Sequence, residues 1–241
     1  MHKESLSKAG IKLYEGAGRF NPENAHQIFV TTGNNSETLE ADYIIVATGG
    51  HPVKPPVPGH EHALTSDDIF ELETLPKNLA ILGGGYIGVE FACIFNALGS
   101  IVHMIVRRNT MLGGFDEDIR QSLDNEMTKR GINFQCVCNV EKIEKIDDHR
   151  KKVTLDNGNV LEVDDIVMAT GRKPNTETLG LEDVGVDIDK TGAVVVNEHL
   201  QAQGQTEGTP EHIYAIGDVT NLFNLTPVAV NHGRMVVDNL F

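Results

Sequence analysis

The sequence predicts an α/β fold, a parallel sheet with crossover helices followed by an antiparallel β-meander, and three observations carry that prediction. From Asn78 onward, strand-like and helix-like stretches alternate as NLAILGGG, IGVEFACIFNALG, SIVHMIV and FDEDIRQSLDNEMTKRG, the pattern of a βαβα unit. A glycine-rich turn, Gly83 to Gly88, joins the first strand of that unit to its first helix. After it INFQCVC, VEKIEKID, KKVTLDNGNVLEV and DDIVMATG follow one another in the strand manner, with DNGN supplying a hairpin turn.

Each flanking element has its own reason. IKLYEGAGRF, HQIFVTT and DYIIVATGG read as strands, with the turn-prone GNNSE between the last two; the third is a continuous apolar run ending in glycines, as buried strands do. Four prolines from Pro52 to Pro58 exclude regular structure in HPVKPPVPG, which reads as a connection between domains. Thr65 or Ser66 is placed to cap a short helix running to Leu72. The acidic start of FDEDIRQ suits a helix N-terminus and Gly131 ends that helix. A loop-rich stretch follows the meander, then HIYAIGDV as a strand and TPVAVNHGRMVVDNLF as a helix with Pro227 near its start. That helix is still apolar-periodic at Phe241, which sets the expectation of further chain beyond it.

With 241 residues, 40% of them hydrophobic, there is apolar material for one large domain or two smaller ones. A formal charge of −15 repels a polyanion, so nucleic acid is excluded as an expected partner. No apolar run approaches the roughly 20 residues that cross a bilayer, and MHKESLSKAG lacks the apolar stretch of a signal peptide, so neither a membrane nor a secretory route is expected. Cys93, Cys136 and Cys138 make no disulfide framework and no zinc spacing, which fits a reducing compartment, the cytoplasm or an organelle. Cys136 and Cys138 share a face of a predicted strand. Residues two apart there are poorly placed for a disulfide, so packing is their expected role. The histidines show no metal-type grouping, and His51, His60 and His62 fall in the proline-rich loop as solvated side chains.

A GxGxxG pattern alone is weak, but Gly83, Gly85 and Gly88 follow a predicted strand and open a predicted helix. Gly83 permits the tight turn, Gly85 lets the backbone approach a pyrophosphate, and Gly88 lets the helix pack closely on the strand, with the helix N-terminus facing the negative charge. About 20 residues further on, an acid would receive the ribose hydroxyls of NAD; Arg107 and Arg108 stand there instead. A guanidinium pair complements a 2′-phosphate, so NADPH is preferred over NADH. The bland alternatives are a ligand-free glycine turn and two solvated arginines.

TGG at Thr48 to Gly50, TSDDIFEL, LGGGYIGVEFACIFNALGS, VRR, GGFDEDIR, ATGRKPNT and IYAIGDVT before LTPVA occur in one order over nearly all of the chain. In that order the sequence resembles the flavin- and NADPH-dependent disulfide reductases, glutathione reductase among them. The resemblance implies a Rossmann-like NADPH-binding domain at 51–172, inserted in a partial FAD-binding domain at 1–50 and 173–241, with the chain incomplete at both ends. It places Gly84 and Ile87 as backbone contacts to NADPH, Tyr86 as the ring covering the flavin face, and Glu90 as the partner of a lysine beside the flavin. Arg107, with Arg108 next to it, takes the 2′-phosphate, Gly171 lies against the ribose, and Asn224 approaches the nicotinamide amide through its main chain. For FAD it places Gly18 near the adenine, Thr48 and Gly49 in the TGG turn, Gly217 and Asp218 at the ribityl chain, and Thr226 at the pyrimidine edge. Glu90 as a helix-surface carboxylate, Tyr86 as a core aromatic and Asp218 as a turn cap are the plain alternatives.

Three departures from that pattern matter. The family has a second phosphate-binding arginine where Gly113 stands, and its NADP-selective members often have alanine where Gly88 stands. The CxxxxC pair, the N-terminal flavin-binding βαβ unit and the C-terminal His/Glu element are not in these residues. The implied activity is electron transfer from NADPH through FAD to a disulfide and on to glutathione disulfide, in thiol redox homeostasis, by a homodimer whose interface domain lies outside these residues. With no redox pair, no catalytic residue is assigned, and turnover by this chain alone is not expected. Trypanothione or thioredoxin reductase, or a non-catalytic NADP-binding module, are the alternatives; lipoamide dehydrogenase fits less well, since it would carry an acid in place of Arg107.

Overall fold

The computed structural model describes residues 2–204 and 210–241. The chain divides into two compact units, Met1–His51 with Lys173–Phe241, and Pro52–Arg172.

The first unit opens with helix α1 (His2–Lys8), followed by an antiparallel meander of β1 (Ala17–Asn21), β2 (Asn24–Thr32) and β3 (Asn35–Glu40). The register sets Phe20 opposite Ile28 and Ile28 opposite Leu39, which gathers the apolar side chains on one face. Two expectations are corrected here. IKLYEGAGRF is strand only from Ala17, and the polar NSETLE, whose first three residues fall in the expected turn GNNSE, forms a full strand. β3 is almost wholly exposed, so main-chain pairing with β2 holds it rather than burial, and no apolar alternation announces it. Then come β4 (Ile44–Val46) and a short β5 (Gly50–Pro52), which extends regular structure into the first proline of the stretch read as irregular.

In the second unit a single 3-10 turn at His60–His62, in the stretch expected to be loop, precedes α2 (Ser66–Ile69), which is shorter than expected but capped as expected at Thr65. The Asp68 carboxylate accepts from Thr65 N at 2.6 Å and from the Thr65 hydroxyl at 2.8 Å, and these bonds hold it below the ordinary carboxylate range. The βαβα run is then β6 (Asn78–Leu82), α3 (Tyr86–Ala97), β7 (Ile101–Val106) and α4 (Glu117–Lys129), followed by β8 (Asn133–Cys136). An antiparallel meander, β9 (Val140–Lys145), β10 (Lys151–Leu155) and β11 (Val160–Val163), leads to β12 (Asp165–Met168). The four-stranded parallel sheet has the order β12-β6-β7-β8, so the chain's direction across it reverses at β6.

β6 is central and buried on both faces, which is why it reads as an unbroken apolar run. Leu79 and Ile81 pack with Met104 and with Val89, Phe91 and Phe95 of α3. Ala80 and Leu82 pack the other way, with Ile105, Ile166 and the meander residues Val153 and Leu155. The alternation of side chains along one strand thus separates a helix-covered face from a meander-covered face. Asp164 fixes the start of the sheet by accepting from Lys77 N and Asn78 N at 2.7 and 2.9 Å.

The cysteine geometry also differs from expectation. The strand ends at Cys136, and Val137 turns into the left-handed region at φ 55°, so the two thiols are not strand neighbours two apart. Both are free, and burial raises both above the ordinary thiol range.

The chain returns to the first unit through β13 (Arg172–Pro174), β14 (Ile213–Ala215) and α5 (Thr226–Leu240). β14 pairs in parallel with β4, Ile213 opposite Ile44 and Ala215 opposite Val46. Val46, Ile213 and Ala215 share a core with Phe20, Leu181, Val194 and Val219. Among the described residues no helix is long and apolar enough to cross a membrane.

Two outcomes follow for stability. Ile81, with no exposed surface, should cost about 2–5 kcal/mol on Ile81→Ala, read from urea unfolding; a loss below about 1 kcal/mol would contradict the packing described. Thr65→Ala should cost about 0.5–2 kcal/mol at neutral pH. Because the Asp68 carboxyl is lowered in the folded state, its share of that difference is present above the ordinary value of 3.8 and fades as pH falls through the lower folded value. Melting temperatures of parent and variant across acid pH should therefore converge.

Candidate functional site

In the second unit the site is built at the carboxyl ends of β12, β6 and β7. Leu82 lies opposite both Met168 and Ile105, so the three strands end level. Gly83, Gly84 and Gly85 fill the step from β6 into α3, and each is glycine for a different reason. Gly83 has φ +126°, and a Cβ there would collide with the carbonyl oxygen of Ala169 after β12. A Cβ on Gly84 would come within 2.5 Å of Val106 at the end of β7. Gly85 caps α3 with ordinary extended angles, φ −78° and ψ 174°, and a Cβ built on it meets nothing within 4 Å. The chain itself asks nothing of Gly85, so the empty space beside it is a cradle that a Cβ would fill. Gly88 is buried, and its Cβ would collide with the carbonyl oxygen of Gly83. Helix and strand therefore touch through bare backbone, and the positive end of the α3 dipole starts at the turn.

The other chosen residues of this unit cluster around that turn. Tyr86 opens α3, 37% exposed and therefore not a core aromatic. Ile87 is half-buried, and Glu90 is exposed with no ion pair or hydrogen bond among the described residues. Arg107 and Arg108 leave β7 at its end, and their loop comes back to the turn, where Leu112 N donates to the carbonyl of Gly84 at 2.7 Å. Neither arginine has a hydrogen bond or ion pair among the described residues, and both are exposed. Arg120 is engaged differently: its Nε donates to Met111 O at 2.8 Å and it also bonds Thr110, bracing the same loop. Gly171, at φ +148°, follows β12 and accepts from Val53 N through its carbonyl.

In the first unit a second pair of parallel strand ends, β4 and β14, carries Thr48 and Gly49 after one and Gly217 and Asp218 after the other. Gly49 takes φ 66°. Thr48 Oγ1 donates to the carbonyl of Asn175 at 2.8 Å, while Asn175 Nδ2 donates back to Thr48 O at 2.8 Å and Asn175 N to Gly49 O at 2.9 Å. Gly217, at φ 69°, starts a single helical turn closed by Thr220 Oγ1 donating to its carbonyl at 2.8 Å. The half-buried Asp218 carboxylate has no hydrogen bond or ion pair among the described residues. Thr226 opens α5 with an exposed side chain and no side-chain cap, and Asn224 Nδ2 donates to Asn221 Oδ1 at 3.0 Å. Gly18 lies apart from these, in the β1–β2–β3 sheet.

Two residues that sequence reasoning passed over hold this second turn. Asn175, inside the quoted ATGRKPNT segment, makes the three bonds just described. His232, buried on α5, accepts from Gly217 N through Nδ1 at 3.2 Å. Its only signal was a place on the apolar face of an amphipathic helix.

A family model described as pyridine nucleotide-disulphide oxidoreductase matches residues 2–233. The chain belongs to that family. The glutathione reductase of Burkholderia cepacia is 39% identical over all of this chain and 51% of its own length. The trypanothione reductase of Trypanosoma congolense is 40% identical over 96% of this chain and 47% of its own. Among solved structures, the HOCl-induced flavoprotein disulfide reductase of Escherichia coli superposes with a TM-score of 0.86 at 30% identity, over 100% of this chain and 54% of that one. The chain thus spans about half the length of the curated relatives it matches.

The glycine assignments separate in a simple test. Gly83→Ala places a side chain at φ +126° against fixed backbone and should destabilise the second unit by about 1–3 kcal/mol. Gly85→Ala, with ordinary angles and open space, should leave the melting temperature unchanged. Equal effects of the two would refute the distinction.

Proposed function

We propose that this chain carries the nucleotide-handling part of an NADPH-dependent flavoprotein disulfide reductase whose substrate is glutathione disulfide. The observation that carries the reading is the open glycine cradle at Gly85 lying one loop away from two unpaired guanidiniums. Gly83, Gly84 and Gly85 bring bare backbone to the pyrophosphate of NADPH, the α3 amides at Tyr86 and Ile87 offset its charge, and Gly88 keeps helix and turn in contact. Arg107 and Arg108 receive the 2′-phosphate, and Gly171 flanks the ribose.

Residues 51–172 are read as the NADPH domain, with 1–50 and 173–241 as part of the FAD domain. There Asp218, a carboxylate with no protein partner among the described residues, suits the hydroxyls of the ribityl chain. Thr226 at the start of α5 presents its amide to the pyrimidine, Thr48, Gly49 and Gly217 line the turns beside it, and Gly18 meets the adenine. Tyr86 guards the flavin face until nicotinamide arrives, Glu90 awaits a lysine beside the flavin, and Asn224 offers main chain to the nicotinamide amide. When bound, NADPH supplies a hydride and FAD accepts it. Disulfide exchange needs a thiol pair that these residues do not contain, since the three cysteines are free and no two have four residues between them. That same fact favours a second reading, in which these 241 residues act alone as an NADP-binding module.

Calorimetric titration of the 241-residue chain should give tighter binding of NADPH than of NADH. Arg107→Ala should weaken NADPH by about 10–100-fold, the worth of a charge-assisted contact to phosphate, and spare NADH. NADPH oxidation with added FAD and glutathione disulfide should stay at background. Equal affinity for the two nucleotides, or none for either, would overturn the reading; turnover of glutathione disulfide would overturn the assignment of the exchange step elsewhere.

A further inference from the structure

We propose that Gly113 is the seat of the Arg108 guanidinium, and that this seat makes Arg108 the second cation for a nucleotide 2′-phosphate, so that Gly113 is a positioning residue for NADPH over NADH. The proposal rests on the nucleotide reading above and adds to it a residue five positions away that touches no ligand.

Gly113 does not take a left-handed backbone, unlike its neighbour Gly114 at φ +101°, so conformation does not require glycine at position 113. What it provides is room. A Cβ built on Gly113 would collide with Arg108 Nη1 and lie 3.2 Å from Arg108 Cζ, and the three nearest atoms to it all belong to that guanidinium. No other group crowds the position. The Arg108 side chain lies over bare Cα, where any larger residue would push it aside.

The guanidinium is kept there without an acid. The chain has 35 acidic residues, yet among the described residues none pairs with Arg107 or Arg108. The nearest candidate in sequence, Asp116, is engaged in capping α4, accepting from Asp118 N at 3.0 Å and Ile119 N at 3.3 Å. The loop is itself held, by Leu112 N on the Gly84 carbonyl at 2.7 Å and by Arg120 on Met111 O at 2.8 Å. Arg108 is thus an uncommitted cation on a braced loop next to the glycine turn. An extended backbone sends adjacent side chains to opposite sides, so two consecutive arginines need a bend and a seat before both serve one anion. A phosphate monoester with two negative charges is the chemistry that two fixed guanidiniums recognise.

The test uses the 241-residue chain with NADPH and NADH as probes in calorimetry, for the parent, Arg108→Ala, Gly113→Ala, and Arg108→Ala combined with Gly113→Arg. Gly113→Ala should weaken NADPH by about 5–50-fold, leave NADH within about twofold, and leave the melting temperature unchanged, because the new methyl displaces only the free end of a flexible side chain. Arg108→Ala should match it. The double variant, which roots a guanidinium at the seat itself, should regain most of the preference for NADPH; a role in loop structure alone would not be rescued this way. The proposal is overturned if Gly113→Ala leaves the NADPH to NADH ratio at the parent value or weakens both nucleotides equally. If Arg107→Ala abolishes the preference while Gly113→Ala does not, this inference fails and the nucleotide reading stands. A parent chain that binds no NADPH removes both.

Discussion

The carbonyl oxygen of Gly83 occupies the space that a side chain at position 88 would need, and the whole glycine turn depends on that contact. It lets α3 begin directly against the end of β6, with no side chain between helix and strand. The same tripeptide is wedged on both flanks, Gly83 against the Ala169 carbonyl after β12 and Gly84 against Val106 of β7. Such wedging is possible only where neighbouring strands run the same way and end level, as Leu82 does with Met168 and Ile105. An antiparallel neighbour would carry the chain away from the turn. Parallel pairing, bare backbone and a helix start at the strand end are thus one construction, and its product is a helix N-terminus beside the open space at Gly85.

The second unit was legible because its physics is periodic. β6 reads as a run of apolar residues since both its faces are buried, and α3 and α4 carry helix starts and stops in their residue types. The first unit was less legible for the same reason inverted. NSETLE forms β3 with both faces wet, so nothing in its pattern distinguishes strand from turn. HKESLSK forms α1 with Leu6 the one half-buried residue among those whose burial is described, too little apolar signal to mark a helix. IKLY alternates as a strand does, but without a partner strand alternation has nothing to pair with. The glycine turn and the arginines could be named from spacing. The space beside Gly113, and the bonds of Asn175 and His232, bring together groups distant in sequence or across a loop, and their meeting is decided by tertiary structure.

Both units use one device at different scales. In each, a turn follows a parallel strand end and a helix begins near it. In the first unit the turn at Gly217 is held from behind by His232 rather than by wedged glycines, and Asp218 has no partner among the described residues. In the second, the wedge replaces any such support. A carboxylate with no partner among the described residues suits a hydroxyl-bearing ligand, and a helix N-terminus suits an anion, so the two turns differ in the chemistry they favour.

Glycine at position 88 and arginine at 107 and 108 point in opposite directions when cofactor choice is read from resemblance. The structure weighs them differently. Gly88 is required by the closeness of the Gly83 carbonyl, a constraint internal to the turn that says nothing about the ribose. Charge at the ribose end does discriminate, and there the global and local fields compete. A net charge of −15 opposes any phosphorylated ligand at long range. At physiological salt, though, charges beyond about 8 Å are largely screened, whereas a phosphate and a guanidinium about 4 Å apart near a surface attract by roughly 4 kcal/mol per unit charge pair before desolvation. On the proposed reading, two uncommitted guanidiniums beside a bound 2′-phosphate would outweigh a distant acidic surface, so the local pair rather than the net charge would set which nucleotide is preferred.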